Sequence, residues 1–181
     1  LEGEPSIKEI VNKIKKRIEL RAEGKLLQSQ ESTEADIKRI IPQDAELTNI
    51  LFDPQTDQAI CLIDFDTVMP GTILHDFGDM VRSMTNGSGE GASPDSVTFD
   101  DQIYGAIQEG YLAVMGDTLA PVEKELLPLS GQVLAFELGV RFLTDYLDGD
   151  RYFQVTHPED NLNRCRVQLA LLTSMQTKLP V

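Results

Sequence analysis

Four oxygen-bearing side chains stand close together in this chain: Asp44, Asn49, Asp64 and Asp66. Magnesium-assisted phosphoryl transfer needs an acid to take a hydroxyl proton and hard oxygen ligands for the ion that neutralises the phosphates. Asp44 suits the base. Asn49, five residues on, can turn back toward a metal, and Asp64 supplies a charged ligand. Asp66 points to the same side as Asp64 on an extended chain, as a second ligand or as an orienter of the loop. Asp76 reads as support, holding the acid-bearing loop through backbone N–H groups. Each of these alone is an ordinary cap or turn residue; their grouping is what points to chemistry.

Two strand-like runs must position them. Ile50–Phe52 and Ile60–Ile63 flank the turn Asp53-Pro-Gln-Thr-Asp57, the pattern of a hairpin. Antiparallel pairing sets Asn49 beside Asp64. Pro42 biases Ile41 toward an extended backbone, and Thr67–Gly71 reads as a turn. A short helix follows through Met84. Residues 85–95, rich in Gly and Ser, read as an exposed mobile loop.

The rest reads as helix. Residues 6–22 place Ile7, Ile10, Val11, Ile14 and Ile18 on one stripe among lysines, ended by Gly24. Asp100–Met115 puts Ile103, Ile107, Tyr111 and Met115 on one face. A long run reaches Leu147, with a break or kink expected at Pro128. The last helix covers about Glu159 to Thr177, with Leu162, Cys165, Leu169, Leu172 and Met175 inward. Arg141 lies on the long helix, either paired to an acid such as Asp145 or presented to a ligand. His75 and His157 read as structural or loop residues. The expected fold class is α+β, mainly helical, in one domain. Residues 1–41 lead in, 42–84 form the catalytic and metal-binding segment, 85–98 a flexible loop, and 99–181 a helical substrate subdomain.

The 181 residues carry 16 basic and 30 acidic side chains, a formal net charge of −14. That balance argues against nucleic acid and against anionic membrane as partners. A phosphate-bearing ligand stays open, because a bridging metal can hold it. Cys61 and Cys165 are expected to be two buried free thiols, which fits a reducing cytoplasm. No apolar run in the sequence reaches the roughly 18 residues of a spanning helix.

The motifs Asp44-x4-Asn49-Ile-Leu-Phe-Asp, Ile63-Asp64-Phe-Asp66-Thr-Val-Met-Pro-Gly and Asp76-Phe-Gly-Asp79 resemble the C-terminal lobe of the aminoglycoside phosphotransferase and choline kinase superfamily. Gly139-Val-Arg-Phe-Leu-Thr-Asp-Tyr-Leu147 and Asn161–Leu169 resemble most its N-acetylhexosamine 1-kinase-type sugar kinases. The resemblance implies a protein-kinase-like C-terminal lobe, with Asp44 as base and Asn49 and Asp64 on Mg2+. ATP is the implied co-substrate and Arg141 a sugar-contact candidate. Family members usually have His where Pro42 stands, a basic residue where Glu46 stands, and Asn where Thr48 stands. The stretch before Asp44 is too short for an N-terminal ATP lobe, so that lobe is expected to be absent and the isolated chain inactive. Self-association through the face that would meet such a lobe is then expected. The alternatives are a degenerate noncatalytic kinase-like binding protein, and an aminoglycoside- or choline-type kinase.

Overall fold

The computed structural model describes residues 39–179. The helix expected over residues 6–22 and its Gly24 stop lie outside them.

The described residues are mainly helical with two small two-stranded sheets, as in a kinase C-terminal lobe. Strand β1 (Arg39–Ile41) pairs antiparallel with β4 (Met69–Gly71), and β2 (Ile50–Phe52) with β3 (Ala59–Leu62). The expected hairpin is therefore β2–β3, with Ile50 opposite Leu62 and a register irregularity at Leu51/Phe52. Asp53 holds its turn by accepting from the Gln55 and Thr56 N–H groups. The β1–β4 pair replaces the turn expected at 67–71. Pro70 sits in a two-stranded sheet, where every strand is an edge and its missing donor is tolerated. A Cβ on Gly71 would meet the ends of the Gln43 and Ile41 side chains at 2.7 Å, so a larger residue there would displace both.

Four helices follow: α1 (Ile73–Met84), α2 (Asp101–Met115), α3 (Pro121–Leu147) and α4 (Asp160–Lys178). Asp100 caps α2 through the Gln102 and Ile103 N–H groups. This start puts Tyr104 in the core and leaves Ile103 exposed, while Ile107, Tyr111 and Met115 pack against the core as expected. Helix α3 runs unbroken through Pro128, because packing on α1 and α4 outweighs one missing hydrogen bond. By length and composition α3 could cross a membrane, but half of its most apolar stretch is buried in this packing. It reads as a core helix.

The core joins Phe77 and Val81 of α1 to Leu127 of α3 and Val167, Leu171 and Met175 of α4. Phe77 stacks edge-on against Tyr104 and Tyr111. Gly78 and Gly131 let α1 and α3 approach closely. A Cβ on Gly78 would lie 2.6 Å from the Ser130 carbonyl oxygen, and one on Gly131 2.5 Å from Val81. The Phe-Gly of Asp76-Phe-Gly-Asp79 is thus helix packing, while its two acids face the loops.

Residues 85–98 are mostly exposed and anchored at a few points: Thr85, Asn86 and Val97 are buried, Asn86 bridges Phe99, and Asn163 donates to the Ala92 carbonyl at 3.0 Å. The expected burial of Cys61 fails: it is exposed, and among the described residues the β2–β3 hairpin packs mainly on itself. Cys165 is buried, and burial pushes its thiol up to about 11. Both are free thiols.

Candidate functional site

The two strand pairs bring the loops carrying the acids to one end. Thr67 Oγ1 donates to the Pro42 carbonyl at 2.7 Å, tying the second loop to the first. The Ile63 N–H donates to the Asn49 carbonyl at 2.9 Å, which sets Asp64 next to Asn49. Asn49 is buried, and its Nδ2 donates to the Asp44 carboxylate at 2.8 Å and to the Asp44 carbonyl at 2.9 Å. Asp44 and Asn49 are thereby fixed against each other.

Asp64 and Asp66 are exposed at the rim. A hydrogen bond with Asp66 holds the Asp64 carboxyl above the ordinary range, and the charges of Asp66 and Asp44 add to the effect. Gln43 and Asp64 both have left-handed backbones, with φ of 64° and 63°. Such conformations are uncommon for residues other than glycine and gather at functional sites. Asp76, at the start of α1, accepts the Gln43 N–H at 2.9 Å and so braces the loop one residue before Asp44. Burial pushes the Asp76 carboxyl up, and this hydrogen bond offsets part of the rise.

The oxygen chemistry of Asn49, Asp64 and Asp66 fits a hard divalent cation. Two carboxylates close enough to share a proton are an arrangement that a cation relieves. Among the described residues no group of three or more His, Cys, Asp or Glu is placed to hold a metal ion.

Arg82 was not singled out in the sequence, yet it organises the same end. Its guanidinium is buried and donates to Asp79 at 2.8 Å, Glu90 at 2.8 Å and Glu46 at 3.2 Å. Burial alone would lower its proton affinity; the three carboxylates outweigh burial and raise it. Asp79 is itself pushed up by burial despite this pairing. Glu46 accepts from the Arg82 guanidinium and from the Thr48 hydroxyl. The i, i+3 spacing of Asp79 and Arg82 was the available signal, but Glu46 and Glu90 meet Arg82 only through the fold.

Arg141 lies elsewhere. It is exposed on α3, not buried as a pair of Asp145. Its guanidinium carbon sits 5.7 Å from the Tyr152 ring centre and 5.4 Å from that of Phe153, within cation–π range. The two rings stand at 82° with centres 4.8 Å apart. Asp145 instead accepts the N–H groups of Arg151, Tyr152 and Phe153 and the Asn161 amide, all at 2.8–2.9 Å. Burial raises the Asp145 carboxyl, but these donors together outweigh it and hold it below the ordinary range. They also fix the aromatic loop. With Val140, Thr144 and Asp148 these residues line an open cleft of about 450 Å³. His75 is half-buried, with Nδ1 lacking a partner, and His157 is a loop residue whose N–H caps onto Asp160.

The sequence profile of the phosphotransferase enzyme family (APH) matches residues 17–119, more than half of the chain and all of the acid-bearing segment. The chain belongs to this phosphotransferase family. Curated relatives carry a different name. The transcription termination factors FttA of Thermococcus kodakarensis and Pyrococcus horikoshii are each 33% identical over 79 residues. FttA of Methanothermobacter thermautotrophicus is 30% identical over 83 residues. These matches take in 44–46% of this chain and 12% of each relative, so the chain spans about an eighth of their length. None of these relatives is named as a sugar kinase, so that finer resemblance rests on the motifs alone. The expectation that nucleic acid is excluded as a partner is overturned by the similarity to transcription termination factors. Net charge was too coarse a guide, since it averages over a chain whose charges are unevenly placed.

Proposed function

We propose that this phosphotransferase-family domain works as a noncatalytic binding module, with the Arg141–Tyr152–Phe153 cleft as its ligand site. One observation carries the reading: among the described residues, the acid-bearing end has no cation to spare for a transferring phosphate. Residues 40–69 contain no Lys, Arg or His. The nearby Arg82 is engaged by three carboxylates, and Arg39 by Glu123 and the Thr118 carbonyl. Without a metal ion, a phosphoryl group placed there would face Asp44, Asp64 and Asp66 with its charge unrelieved by any described side chain, and positioning plus charge neutralisation is nearly all that such catalysis consists of. The relatives' naming as transcription termination factors, not kinases, supports the same reading and agrees with the cytoplasmic setting expected from the cysteines.

The cleft's chemistry suits a small polyol. The exposed Tyr152 ring offers a flat apolar face to sugar C–H groups, and Arg141 and Asp148 offer donors and acceptors to hydroxyls. Calorimetric titration with N-acetylhexosamines, hexoses and amino alcohols, run beside an ADP-release assay with Mg2+ and ATP, tests the proposal. Binding that is lost in Arg141→Ala, with no turnover, is the expected result; turnover at ordinary kinase rates sinks it. A short RNA titrated in parallel reads the partner class to which the relatives point.

The second reading is Mg2+- and ATP-dependent phosphorylation of that ligand, favoured by the Asn49–Asp44 contact and the Asp64–Asp66 pair. Asn49, Asp64 and Asp66 would hold the ion, which would neutralise phosphate charge, and Asp44 would take the substrate's hydroxyl proton. Cation binding that disappears in Asp64→Asn, together with measurable ADP release, would favour it over the binding role.

A further inference from the structure

Exposed apolar surface is concentrated at the strand end of the molecule. Among the described residues, nine of the fourteen large apolar side chains left exposed lie between Ile40 and Met69. Ile40 is 71% exposed, Ile60 64%, Phe65 57%, Leu51 47% and Phe52 46%. The same thirty residues hold six acids, Asp44, Glu46, Asp53, Asp57, Asp64 and Asp66, and no basic side chain. A hairpin standing alone is marginal in water and is ordinarily stabilised by a third strand or by packing on a helix. Among the described residues β2–β3 packs mainly on itself and neither of its outer edges pairs with a further strand. Neither strand carries the lysine that commonly guards an exposed edge.

We infer that the β2–β3 hairpin face docks a polypeptide segment that pairs apolar side chains with lysine or arginine. Its apolar residues would cover Leu51, Phe52 and Ile60, and its cations would answer Asp53 and Asp57 at the hairpin tip. The charge selects this occupant: a purely apolar partner would bury the tip acids unpaired, and an acidic one would be repelled. The open strand edges add main-chain hydrogen bonds to whichever segment lies alongside.

Two designed 18-residue peptides of equal apolar content, one of leucine and lysine and one of leucine and glutamate, are titrated against the full chain by fluorescence anisotropy. A single-stranded RNA forms a third arm. The inference expects saturable binding of the lysine peptide alone, with slowed hydrogen exchange at residues 50–52 and 59–62. Phe52→Ser with Ile60→Ser should weaken that binding at least tenfold. Asp53→Asn with Asp57→Asn should do the same while preserving the turn, since asparagine accepts the same hydrogen bonds and tolerates the left-handed backbone of Asp57 (φ 53°). The control Val114→Ser with Val133→Ser, exposed apolar residues on α2 and α3, should leave it unchanged. Equal loss in the control, binding unaltered by either hairpin pair, failure of the lysine peptide to bind, equal binding of the glutamate peptide, or RNA protecting the hairpin amides would each overturn it.

Discussion

The helical lobe and the strand segment treat their polar and apolar groups in opposite ways. In the lobe, Asp145 is buried and every oxygen has donors, Arg82 is buried among three carboxylates, and Phe77 and Leu171 are fully enclosed. In the segment from Arg39 to Gly71, carboxylates crowd one another, three non-glycine residues (Gln43, Asp57 and Asp64) hold left-handed backbones, and apolar side chains face water. The first pattern is what stability requires. The second costs stability, and such costs persist where a ligand or partner relieves them. The contrast sets a lobe whose polar groups are paired, its open cleft included, against a strand segment whose apolar and acidic groups are left to solvent.

The largest effect should come from the lobe's core. Phe77→Ala removes a ring enclosed by α2, α3 and α4 and should cost about 3–5 kcal/mol in urea denaturation. A loss under about 1 kcal/mol would mean that the helices do not form one packed unit. Arg82→Ala should cost nearly as much, about 3 kcal/mol, because Asp79 would stay buried without its partner. Lysine at that position should recover little, since one ammonium cannot meet three carboxylates in the guanidinium's planar fork. Gly78→Ala follows at about 1–3 kcal/mol, the cost of pushing α1 away from the Ser130 backbone.

These packing sites also mark how far the sequence could be read. The hairpin was legible, because apolar runs and turn residues are local signals. Helices α2 to α4 were legible from periodicity, with Ile103 alone of the expected inward residues of α2 left exposed, in its first turn. The β1–β4 pair was not legible: Pro70 and Gly71 read as a turn, and only the distant Ile41 makes them a strand. Arg82 was missed for the same reason, since two of its three partners lie in other loops. Exposure of Cys61 was invisible too, because a strand-like run gives no sign of whether anything covers it.

Acid should separate the two regions next. The Asp145 carboxyl sits below its ordinary 3.8, so the order it gives the 151–153 loop is present above that pH and is lost as pH falls through the lower folded value. The Asp64 carboxyl sits above 3.8, so it takes up its proton first as pH falls, and divalent-cation binding at the rim should weaken while the loop is still ordered. Amide shifts of Arg151, Tyr152 and Phe153, followed beside Mn2+ relaxation titrations, read both events in one pH series. Loss of both at one pH would place them in a single cooperative unit and erase the distinction.

The smallest effect should be the most discriminating. Ile60→Ser alters a side chain that is 64% exposed, on a hairpin that packs mainly on itself. Exposed substitutions away from caps, cores and strained turns change stability by less than about 0.5 kcal/mol. A buried isoleucine made polar would cost several times that, so one denaturation curve separates a covered hairpin from an open one. If the chain pairs with itself through this face, the wild-type midpoint will rise with protein concentration and the Ile60→Ser midpoint will not. If the face is open until a partner arrives, neither midpoint will depend on concentration, and adding the lysine peptide will raise only the wild-type one. A hydrophobic residue that contributes nothing to folding and much to association is the sharpest form of the division between the two halves.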